Sequence, residues 1–321
     1  WQFNQDPTLR DRTAHIVTYP QYWGHKLTGV AATDVTSMGC HTDLWSPKTG
    51  TFSDLPAKLS ISNKIAPVRK PTDILGTLLP EVSRKTGLQP DTPVCVGIHD
   101  SNASLYPHLL TQSGAFSVVS TGTWVIVMSI GGTDTPLDPA RDTLINVNAL
   151  GQAVPSARFM GGREYEMIQQ GEEVTPTAAD VSDILDGQLM ILPAVDPRTG
   201  PFRGRSMSWT GAALQPATGA RTAAVSFYLA MMTDTCLKLT GAQGPTVVEG
   251  PFGRNSAFID MLGAATGRQV LTSDAATGTS IGAALLFGKS SAMAKPIVAS
   301  TTADQSRYRS YANRWRTLAE L

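Results

Sequence analysis

The chain has 321 residues, of which 41% are hydrophobic and 16% charged, as in a globular protein with a large core. Lysine plus arginine equals aspartate plus glutamate at 26 each, which argues against nucleic acid as a main partner. Cys40, Cys95 and Cys236 lie far apart and give neither a disulfide framework nor a zinc spacing, so we expect a cytoplasmic protein. The longest apolar run, Trp124 to Ile130, is too short to span a bilayer, and we expect no membrane partner.

The first ninety residues predict short helices joined by loops. Apolar residues recur at helical intervals from Thr13 to Leu27, with Pro20 in the first turn of a helix that ends at Gly29. Another helix begins within Asp34 to Met38, and a proline-rich stretch brackets a helix at Glu81 to Thr86.

The stretch from Val94 to Asn102 combines the end of a strand with a carboxylate. Val94 to Ile98 has the pattern of a buried strand, and a helix follows over Ala103 to Leu110. In open α/β sheets the carboxyl end of a strand opens onto the ligand crevice, and the next helix attracts anions. Asp100 is therefore a candidate reactive group. The alternative is that Asp100 or Ser101 only caps the helix, which such residues often do.

A hairpin is predicted downstream of this stretch. Two β-rich runs, Ala115 to Ser120 and Trp124 to Ser129, are joined by a turn with Gly122 at its centre. The hydroxyl and backbone N–H groups of Ser120 to Thr123 form the sort of donor set that holds a phosphate. Such tips are also common in hairpins that serve only the core.

Two further units carry glycines at the start of a helix. Gly161 and Gly162 open a helix within Arg158 to Gln170. The strand Thr246 to Glu249 leads through a tight loop to a helix that Asn255 or Ser256 can cap. A strand, glycine loop and helix in this order commonly bind nucleotides, although neither a GxGxxG nor a Walker A sequence occurs.

The remaining pattern is helical. Met and Cys residues within Arg221 to Leu239 are interpreted as core filler. The small residues of Gly278 to Leu286 allow close packing against a sheet or a ligand. The tail, with Tyr308, Tyr311 and Trp315, predicts an amphipathic closing helix.

Taken in order, these motifs resemble the FGGY carbohydrate kinases, with the closest similarity to rhamnulokinase- and fuculokinase-like members. The resemblance covers nearly the whole chain. The segments that carry it are Tyr19–Trp23, Leu27–Gly29, Gly97–Asp100, Ser120–Thr123, Phe159–Gly162, Glu249–Asn255 and Gly282–Leu286.

The resemblance implies an α/β fold of two ribonuclease H-like domains, of the actin and Hsp70 ATPase type, with a cleft between them. Residues 1–106 would be the remaining part of the N-terminal domain, on the sugar side, and 107–321 the ATP-binding C-terminal domain. The family's opening Asp-x-Gly-Thr hairpin has no counterpart here. We therefore expect a first domain that is incomplete and a 321-residue chain without kinase activity of its own.

The resemblance also implies site residues. Asp100 matches the catalytic carboxylate, which takes the proton from the sugar hydroxyl as it attacks the γ-phosphate of ATP and lies close to Mg²⁺. His99 and Trp124 are candidate sugar contacts, with packing roles as the alternatives, whereas His41 is interpreted as a surface or capping histidine. The residues implied to bind the nucleotide are Gly122, Thr123, Gly162, Glu166, Gly250, Pro251 and Asn255.

Two of these positions depart from the family pattern. A glutamine often stands at the position of Glu166, and glycine is usual at that of Pro251, so the approach of the backbone to adenine could differ here.

The expected activity is therefore ATP- and Mg²⁺-dependent phosphorylation of a ketose, such as a 6-deoxy-ketohexose or a pentulose, or of a polyol. The resemblance also implies that the protein can form a homodimer, as members of this family often do. The main alternative is a non-catalytic nucleotide-binding module of the actin and Hsp70 type, and a second is a sugar-binding relic that has lost ATP hydrolysis.

Overall fold

The computed structural model describes residues 1–273, 278–288, 297–299 and 305–320. These residues form two units of dense internal contact. The first comprises 1–111, 145–154 and 278–288, and the second comprises 112–144, 155–273, 297–299 and 305–320.

The regular elements of the described residues are numbered in chain order. The α-helices are α1 (Gln2–Gln5), α2 (Pro7–Arg12), α3 (Tyr19–Thr28), α4 (Val35–His41), α5 (Leu55–Lys58), α6 (Pro80–Thr86), α7 (Asp100–Thr111), α8 (Gly161–Gln169), α9 (Ala178–Gly187), α10 (Gly219–Leu239), α11 (Ser256–Thr266), α12 (Gly278–Ala284) and α13 (Gln305–Glu320). Short 3₁₀ helices occupy Pro139–Arg141, Pro251–Arg254 and Leu285–Phe287.

The strands are β1 (Thr33–Asp34), β2 (Trp45–Ser46), β3 (Thr51–Phe52), β4 (Val68–Arg69), β5 (Ile74–Thr77), β6 (Pro93–Cys95), β7 (Phe116–Thr121), β8 (Val125–Ile130), β9 (Thr143–Val147), β10 (Ala153–Phe159), β11 (Ile191–Leu192), β12 (Ser208–Trp209), β13 (Thr246–Glu249), β14 (Val270–Ser273) and β15 (Ile297–Val298).

Helix α3 begins at the predicted Pro20 turn, whereas the helical pattern upstream of it, from Thr13, does not form a helix. It begins at Tyr19 with Pro20 in its first turn and ends at Gly29, which has a φ of 77°. Residues 13–18 are not helical because the backbone of Ile16 bridges to the segment around Ile65. Tertiary pairing has overridden a local helical pattern here. Pro20 and Gly29 have the predicted roles.

The strand before Asp100 is also shorter than predicted. β6 ends at Cys95, and it pairs antiparallel with β5 in a two-stranded sheet rather than running parallel in an open sheet. The run from Val94 to Ile98 is interrupted because Gly97 has a φ of +94°, a conformation that takes the backbone out of the extended region. Asp100 therefore follows a sharp turn rather than the direct end of a strand.

A seven-stranded mixed sheet with the order β15-β14-β13-β7-β8-β10-β9 organises the second unit. The predicted hairpin is present, since β7 and β8 pair antiparallel from Phe116 with Ile130 to Thr121 with Val125. On the other side β7 pairs parallel with β13, which also pairs parallel with β14. The tip of the hairpin and the loop after β13 are thus at the same edge of the sheet.

The core of the second unit lies against helix α10. This helix is buried along most of its length, and Met231, Met232 and Cys236 are inaccessible to solvent, as predicted for core filler. The closing helix α13 is likewise confirmed, because Tyr308, Tyr311 and Trp315 are buried against the same core.

Helix α12 packs on a helix rather than on the sheet that was one of the two predicted partners. It belongs to the first unit and packs on α7, and a Cβ added at Gly282 would lie 1.7 Å from the carbonyl oxygen of Ala103. The small residues therefore serve a helix–helix contact rather than a sheet. Within the described ranges, no helix combines the length and the apolar character needed to cross a membrane.

Candidate functional site

A cavity of about 510 Å³ in the first unit contains Asp100, and we call it the Asp100 cavity. The N-terminus of α3, the end of α4, the start of α7 and helix α12 form its walls. The residues that line it are Thr18, Tyr19, Pro20, Trp23, Ser37, His41, Ile98, His99, Asp100, Ala103, Thr279 and Ala283. A space of this size accommodates a monosaccharide-sized ligand.

Asp100 is not the cap of helix α7. The carbonyl oxygen of His99 accepts the first intrahelical hydrogen bond, from the N–H of Ala103, so His99 occupies the capping position. The Asp100 carboxylate accepts a bond from the adjacent N–H of Ser101 at 2.6 Å, and its side chain is 77% exposed. The capping alternative is therefore wrong for both Asp100 and Ser101.

Asp100, His99 and His41 form a row of three polar side chains, with His99 in the middle. Nε2 of His99 lies 2.9 Å from Oδ1 of Asp100 and 2.5 Å from Nε2 of His41, and the two imidazole rings meet edge to face. Burial lowers the pKa of His99 below its usual value, outweighing the opposing charge of Asp100. His99 is therefore neutral at neutral pH. His41, interpreted from the sequence as a surface or capping residue, is a wall of the Asp100 cavity.

The proton of neutral His99 is best assigned to Nε2. Nδ1 of His99 is buried and makes no hydrogen bond to any described residue. A proton on Nδ1 would be an orphaned buried donor, and it would leave the Nε2 lone pair facing the carboxylate of Asp100. With the proton on Nε2, His99 donates to Nε2 of His41, and the same nitrogen lies 2.9 Å from Oδ1 of Asp100.

Buried polar contacts hold His99 in place. Asp34 caps α4 by accepting the N–H groups of Thr36 and Ser37 at 2.8 and 3.1 Å. The hydroxyl of Thr36 donates to Asp34 and accepts the backbone N–H of His99 at 3.0 Å. Burial raises the pKa of Asp34. The capping of α4 is thus coupled through one hydroxyl to the backbone beside Asp100.

A second cavity, of about 320 Å³, lies in the second unit, and we call it the Gly122 cavity. It brings together six of the seven residues that the resemblance implied for the nucleotide. They are Gly122, Thr123, Gly162, Glu166, Pro251 and Asn255. The hairpin tip, the start of α8 and the loop after β13 supply them.

The hairpin tip and helix α8 meet at two glycines. A Cβ added at Gly162 would lie 2.2 Å from the carbonyl oxygen of Gly122, a contact that no side chain tolerates. Part of the predicted donor set is already occupied, because Thr121 donates to the carbonyl of Glu249 and Gly122 donates to that of Trp124. Thr123 is exposed at the tip and supplies the donors that face the cavity.

Asn255 has a structural role as well as a place in the Gly122 cavity. Its Oδ1 accepts the N–H of Phe258 at 3.0 Å, which confirms it as the cap of α11, and its Nδ2 donates to Ser226 at 2.9 Å. One amide proton and one lone pair remain for a ligand. Gly250, the seventh residue, does not line the cavity. It turns the backbone with a φ of +81° against the carbonyl of Thr121.

Sequence reasoning missed three residues of the Gly122 cavity, namely Tyr165, Glu173 and Phe252. The rings of Tyr165 and Phe252 have centroids 6.1 Å apart and give the cavity an aromatic wall. Burial, followed by the negative charge of Glu173, raises the pKa of Tyr165. The helical spacing of Tyr165 from Gly162 was the one available signal, because both fall on one face of α8.

Trp124 lines neither of these two cavities. The guanidinium of Arg158 lies over the indole ring of Trp124, with its carbon Cζ 4.9 Å from the ring centroid. Its predicted contact with a sugar thus has no supporting geometry within either unit.

Asp100 offers one carboxylate to a metal ion. Among the described residues, no group of three or more His, Cys, Asp and Glu side chains is arranged to hold a metal. Mg²⁺ in kinases is commonly bound by one or two carboxylates together with substrate phosphates and water. The carboxylate of Asp100 can supply one such ligand.

Comparison with known proteins identifies the family. Residues 1–106 match the N-terminal domain of the FGGY family of carbohydrate kinases, and residues 113–296 match the domain described as "Carbohydrate kinase FGGY, C-terminal domain". The chain belongs to the FGGY carbohydrate kinase family, and its fold class is the actin- and Hsp70-like α/β class that the resemblance implied.

Individual relatives agree with this assignment. The rhamnulokinases of Bacillus subtilis (strain 168) and Ligilactobacillus salivarius (strain UCC118) are 28% and 29% identical over 127 residues, which is 39% of this chain. Those residues are 26% of each rhamnulokinase, so the chain matches only about a quarter of the length of these curated relatives.

Solved structures resemble the chain over its whole length. A carbohydrate kinase from Novosphingobium aromaticivorans is 34% identical, with a TM-score of 0.86, covering 99% of this chain and 72% of that one. Xylulose kinase from Rhodospirillum rubrum is 16% identical with a TM-score of 0.72, covering 100% and 70%. Glycerol kinase from Plasmodium falciparum, solved with ADP, is 15% identical with the same TM-score and coverage. The last two share the fold.

Proposed function

We propose that this protein is an ATP-dependent sugar kinase in which the Gly122 cavity binds the nucleotide and Asp100 is the general base. The observation that carries the proposal is the gathering of Gly122, Thr123, Gly162 and Pro251 around one cavity. These residues come from three segments that are far apart in the chain, and the family resemblance implied a nucleotide-binding role for each of them.

The Gly122 cavity suits a nucleoside in three respects. Its aromatic wall, formed by Tyr165 and Phe252, can stack against a purine. The carboxylates of Glu166 and Glu173 can accept hydrogen bonds from ribose hydroxyls, and they would repel phosphates from that end of the cavity. The exposed donors of Thr123 at the hairpin tip then favour the opposite end for the phosphate groups.

The neighbourhood of Asp100 suits proton abstraction from a hydroxyl group. Phosphoryl transfer depends mainly on positioning and charge neutralisation, so its base needs a defined orientation rather than great strength. The N–H of Ser101 donates to Oδ1 of Asp100, and Nε2 of His99 lies 2.9 Å from the same oxygen, which leaves Oδ2 to receive the proton. Bound Mg²⁺, held by Asp100 and phosphate oxygens, would neutralise charge on the transferred group.

The walls of the Asp100 cavity favour a sugar with an apolar face. Tyr19, Pro20 and Trp23 present aromatic and aliphatic surface on one side, and Ile98 and Ala283 add more. Among the candidates, a 6-deoxy-ketohexose matches this lining best because its methyl group can be buried there. Pentuloses and polyols are the competing substrates, and a cytoplasmic location fits all of them.

Two measurements test the function. Titration calorimetry should show ATP binding to the 321-residue chain. The absence of ATP binding would show that the Gly122 cavity has no nucleotide role. A coupled ADP-release assay of the full-length protein over a panel of ketoses and polyols should show sugar-dependent turnover. ATP binding without turnover on any sugar would favour a non-catalytic nucleotide-binding module, and sugar binding without ATP binding would favour a relic.

A further inference from the structure

A third cavity of the second unit, of about 190 Å³, shares no residue with the Gly122 cavity. Helices α10 and α13 form most of its wall, and the 3₁₀ helix at Pro139–Arg141 closes one side. The residues that line it are Thr135, Arg141, Phe202, Thr235, Lys238, Leu239, Trp315, Arg316, Ala319 and Glu320. We call it the Arg141 cavity.

Three cations line this small space. Lys238 and Arg316 both contact the buried carboxylate of Asp234, at 3.0 and 2.9 Å. One carboxylate thus serves two cations. Among the residues that line the cavity, the acidic one is Glu320, which is exposed. The charges around the cavity therefore favour an anion.

Arg141 is the cation with the most unused hydrogen-bonding capacity. Its Nε donates to the carbonyl of Pro201 at 3.0 Å, and its guanidinium lies 5.6 Å from the ring centroid of Phe202. No carboxylate pairs with it among the described residues. The bond to Pro201 and the contact with Phe202 restrain the guanidinium, and its terminal N–H groups remain available as a fork, the arrangement that recognises phosphate in a bidentate manner.

Two threonines add a complementary feature. Thr135 donates its hydroxyl proton to the carbonyl of Thr133, and Thr235 donates its own to that of Met231. Each oxygen therefore keeps lone pairs and can only accept a further bond. A ligand with hydroxyl groups of its own would satisfy them, whereas a bare inorganic anion would not.

We propose that the Arg141 cavity binds a small hydroxylated phosphate ester, with its phosphate on Arg141 and Lys238 and its hydroxyls toward Thr135 and Thr235. The volume of about 190 Å³ is below the range of ordinary cofactor sites, so the ligand has the size of a three- or four-carbon compound. Phe202 and Trp315, in edge contact at 5.8 Å, form the apolar part of the wall against the carbon chain.

The test compares glycerol 3-phosphate, inorganic phosphate and acetate at constant ionic strength, by titration calorimetry and by the shift in unfolding temperature. Glycerol 3-phosphate should bind saturably and at least tenfold more tightly than inorganic phosphate, and acetate should not bind measurably. Acetate binding as tight as that of the ester would overturn the assignment of a phosphate site. Equal affinity for phosphate and ester would overturn the role of the threonines.

Variants then locate the binding. Arg141→Gln should weaken glycerol 3-phosphate binding at least tenfold, and Lys238→Gln, at an exposed position, should weaken it severalfold without a risk to folding. Arg314→Gln, on the exposed side of the same helix α13, is the matched control and should bind as the unchanged protein does. ATP affinity should be unaltered in all three. Ester binding that persists in both Arg141→Gln and Lys238→Gln would place it elsewhere and refute the proposal.

Discussion

Nε2 of His99 lies 2.9 Å from Oδ1 of the Asp100 carboxylate, although the two residues are adjacent in the chain and Asp100 begins a helix. The contact exists because Gly97 turns the backbone and Thr36 holds the N–H of His99. It orients the carboxylate that we propose as the base, and it makes His99 a positioning residue for Asp100.

Removing the His99 imidazole should misplace the base. His99→Phe should reduce turnover by about 100-fold, since a small displacement of a catalytic group costs this much, while ATP affinity stays unchanged. His99→Gln retains an N–H donor and should recover part of the loss. Equal rates for His99→Phe and the unchanged enzyme in ADP-release assays would show that the contact is incidental.

The glycine contact in the Gly122 cavity predicts a specific steric effect. Gly162→Ala would place a Cβ 2.2 Å from the carbonyl oxygen of Gly122, so hairpin and helix must separate. We expect a loss of about 1–3 kcal/mol in the free energy of unfolding and a marked loss of ATP affinity. Gly187→Ala is the matched control, because nothing lies within 4 Å of its added Cβ, and it should be neutral or slightly stabilising. Urea unfolding and ATP titration measure both effects. Unaltered ATP affinity in a folded Gly162→Ala protein would argue against a nucleotide at this junction.

The buried carboxylate of Glu164 predicts a pH dependence of stability. It accepts the hydroxyl of Tyr228 at 2.8 Å, and burial raises its pKa from 4.5 to about 7. The folded protein therefore holds this proton more tightly than the unfolded chain does. The resulting stabilisation is complete below about pH 4.5 and is lost as the pH rises toward 7, by roughly 3 kcal/mol in all.

Glu164→Gln isolates this effect, since the amide oxygen still accepts from Tyr228 but does not titrate. Urea unfolding from pH 5 to pH 8 should show the unchanged protein losing stability relative to Glu164→Gln over that interval. Parallel curves for the two proteins would contradict the assignment of the shift to Glu164.

Asn255 combines two roles that substitutions can separate. Asn255→Ala removes both the cap of α11 and the bond to Ser226, and it should cost about 1–2 kcal/mol in the free energy of unfolding. Asn255→Asp keeps an oxygen for the cap but loses the amide donor. If Asn255 reads the purine edge, Asn255→Asp should weaken ATP binding while leaving most of the stability. A preference for ATP over GTP that is identical in both variants and the unchanged protein would limit Asn255 to its structural role.

Local signals were sufficient to predict much of the second unit. The hairpin β7–β8, the strand β13 and the capped helix α11 were predicted because each has its own turn or cap residue. Helix α10 was predicted from the apolar residues spaced along Arg221 to Leu239. The grouping of distant motifs came from a family resemblance and not from periodicity.

What the sequence could not predict depended on long-range contacts. The pairing of Ile16 with Ile65 ended a helical pattern, and Gly97 shortened the strand before Asp100. The contact between His41 and His99 joins residues 58 positions apart, and no local pattern indicates it. Tyr165 was missed for the opposite reason, because an aromatic residue on an amphipathic helix has the same pattern in a core as in a ligand site.

Asp100→Asn tests the central claim most directly. The amide preserves the size of the side chain and an oxygen for the N–H of Ser101, but it cannot take a proton from a sugar. Turnover of the full-length protein, measured by coupled ADP release, should fall by at least 100-fold, with ATP affinity nearly unchanged by calorimetry. Asp91→Asn, at an exposed position of the same unit that does not line the Asp100 cavity, is the control and should retain full turnover. An unchanged turnover number for Asp100→Asn would contradict the assignment of Asp100 as the base.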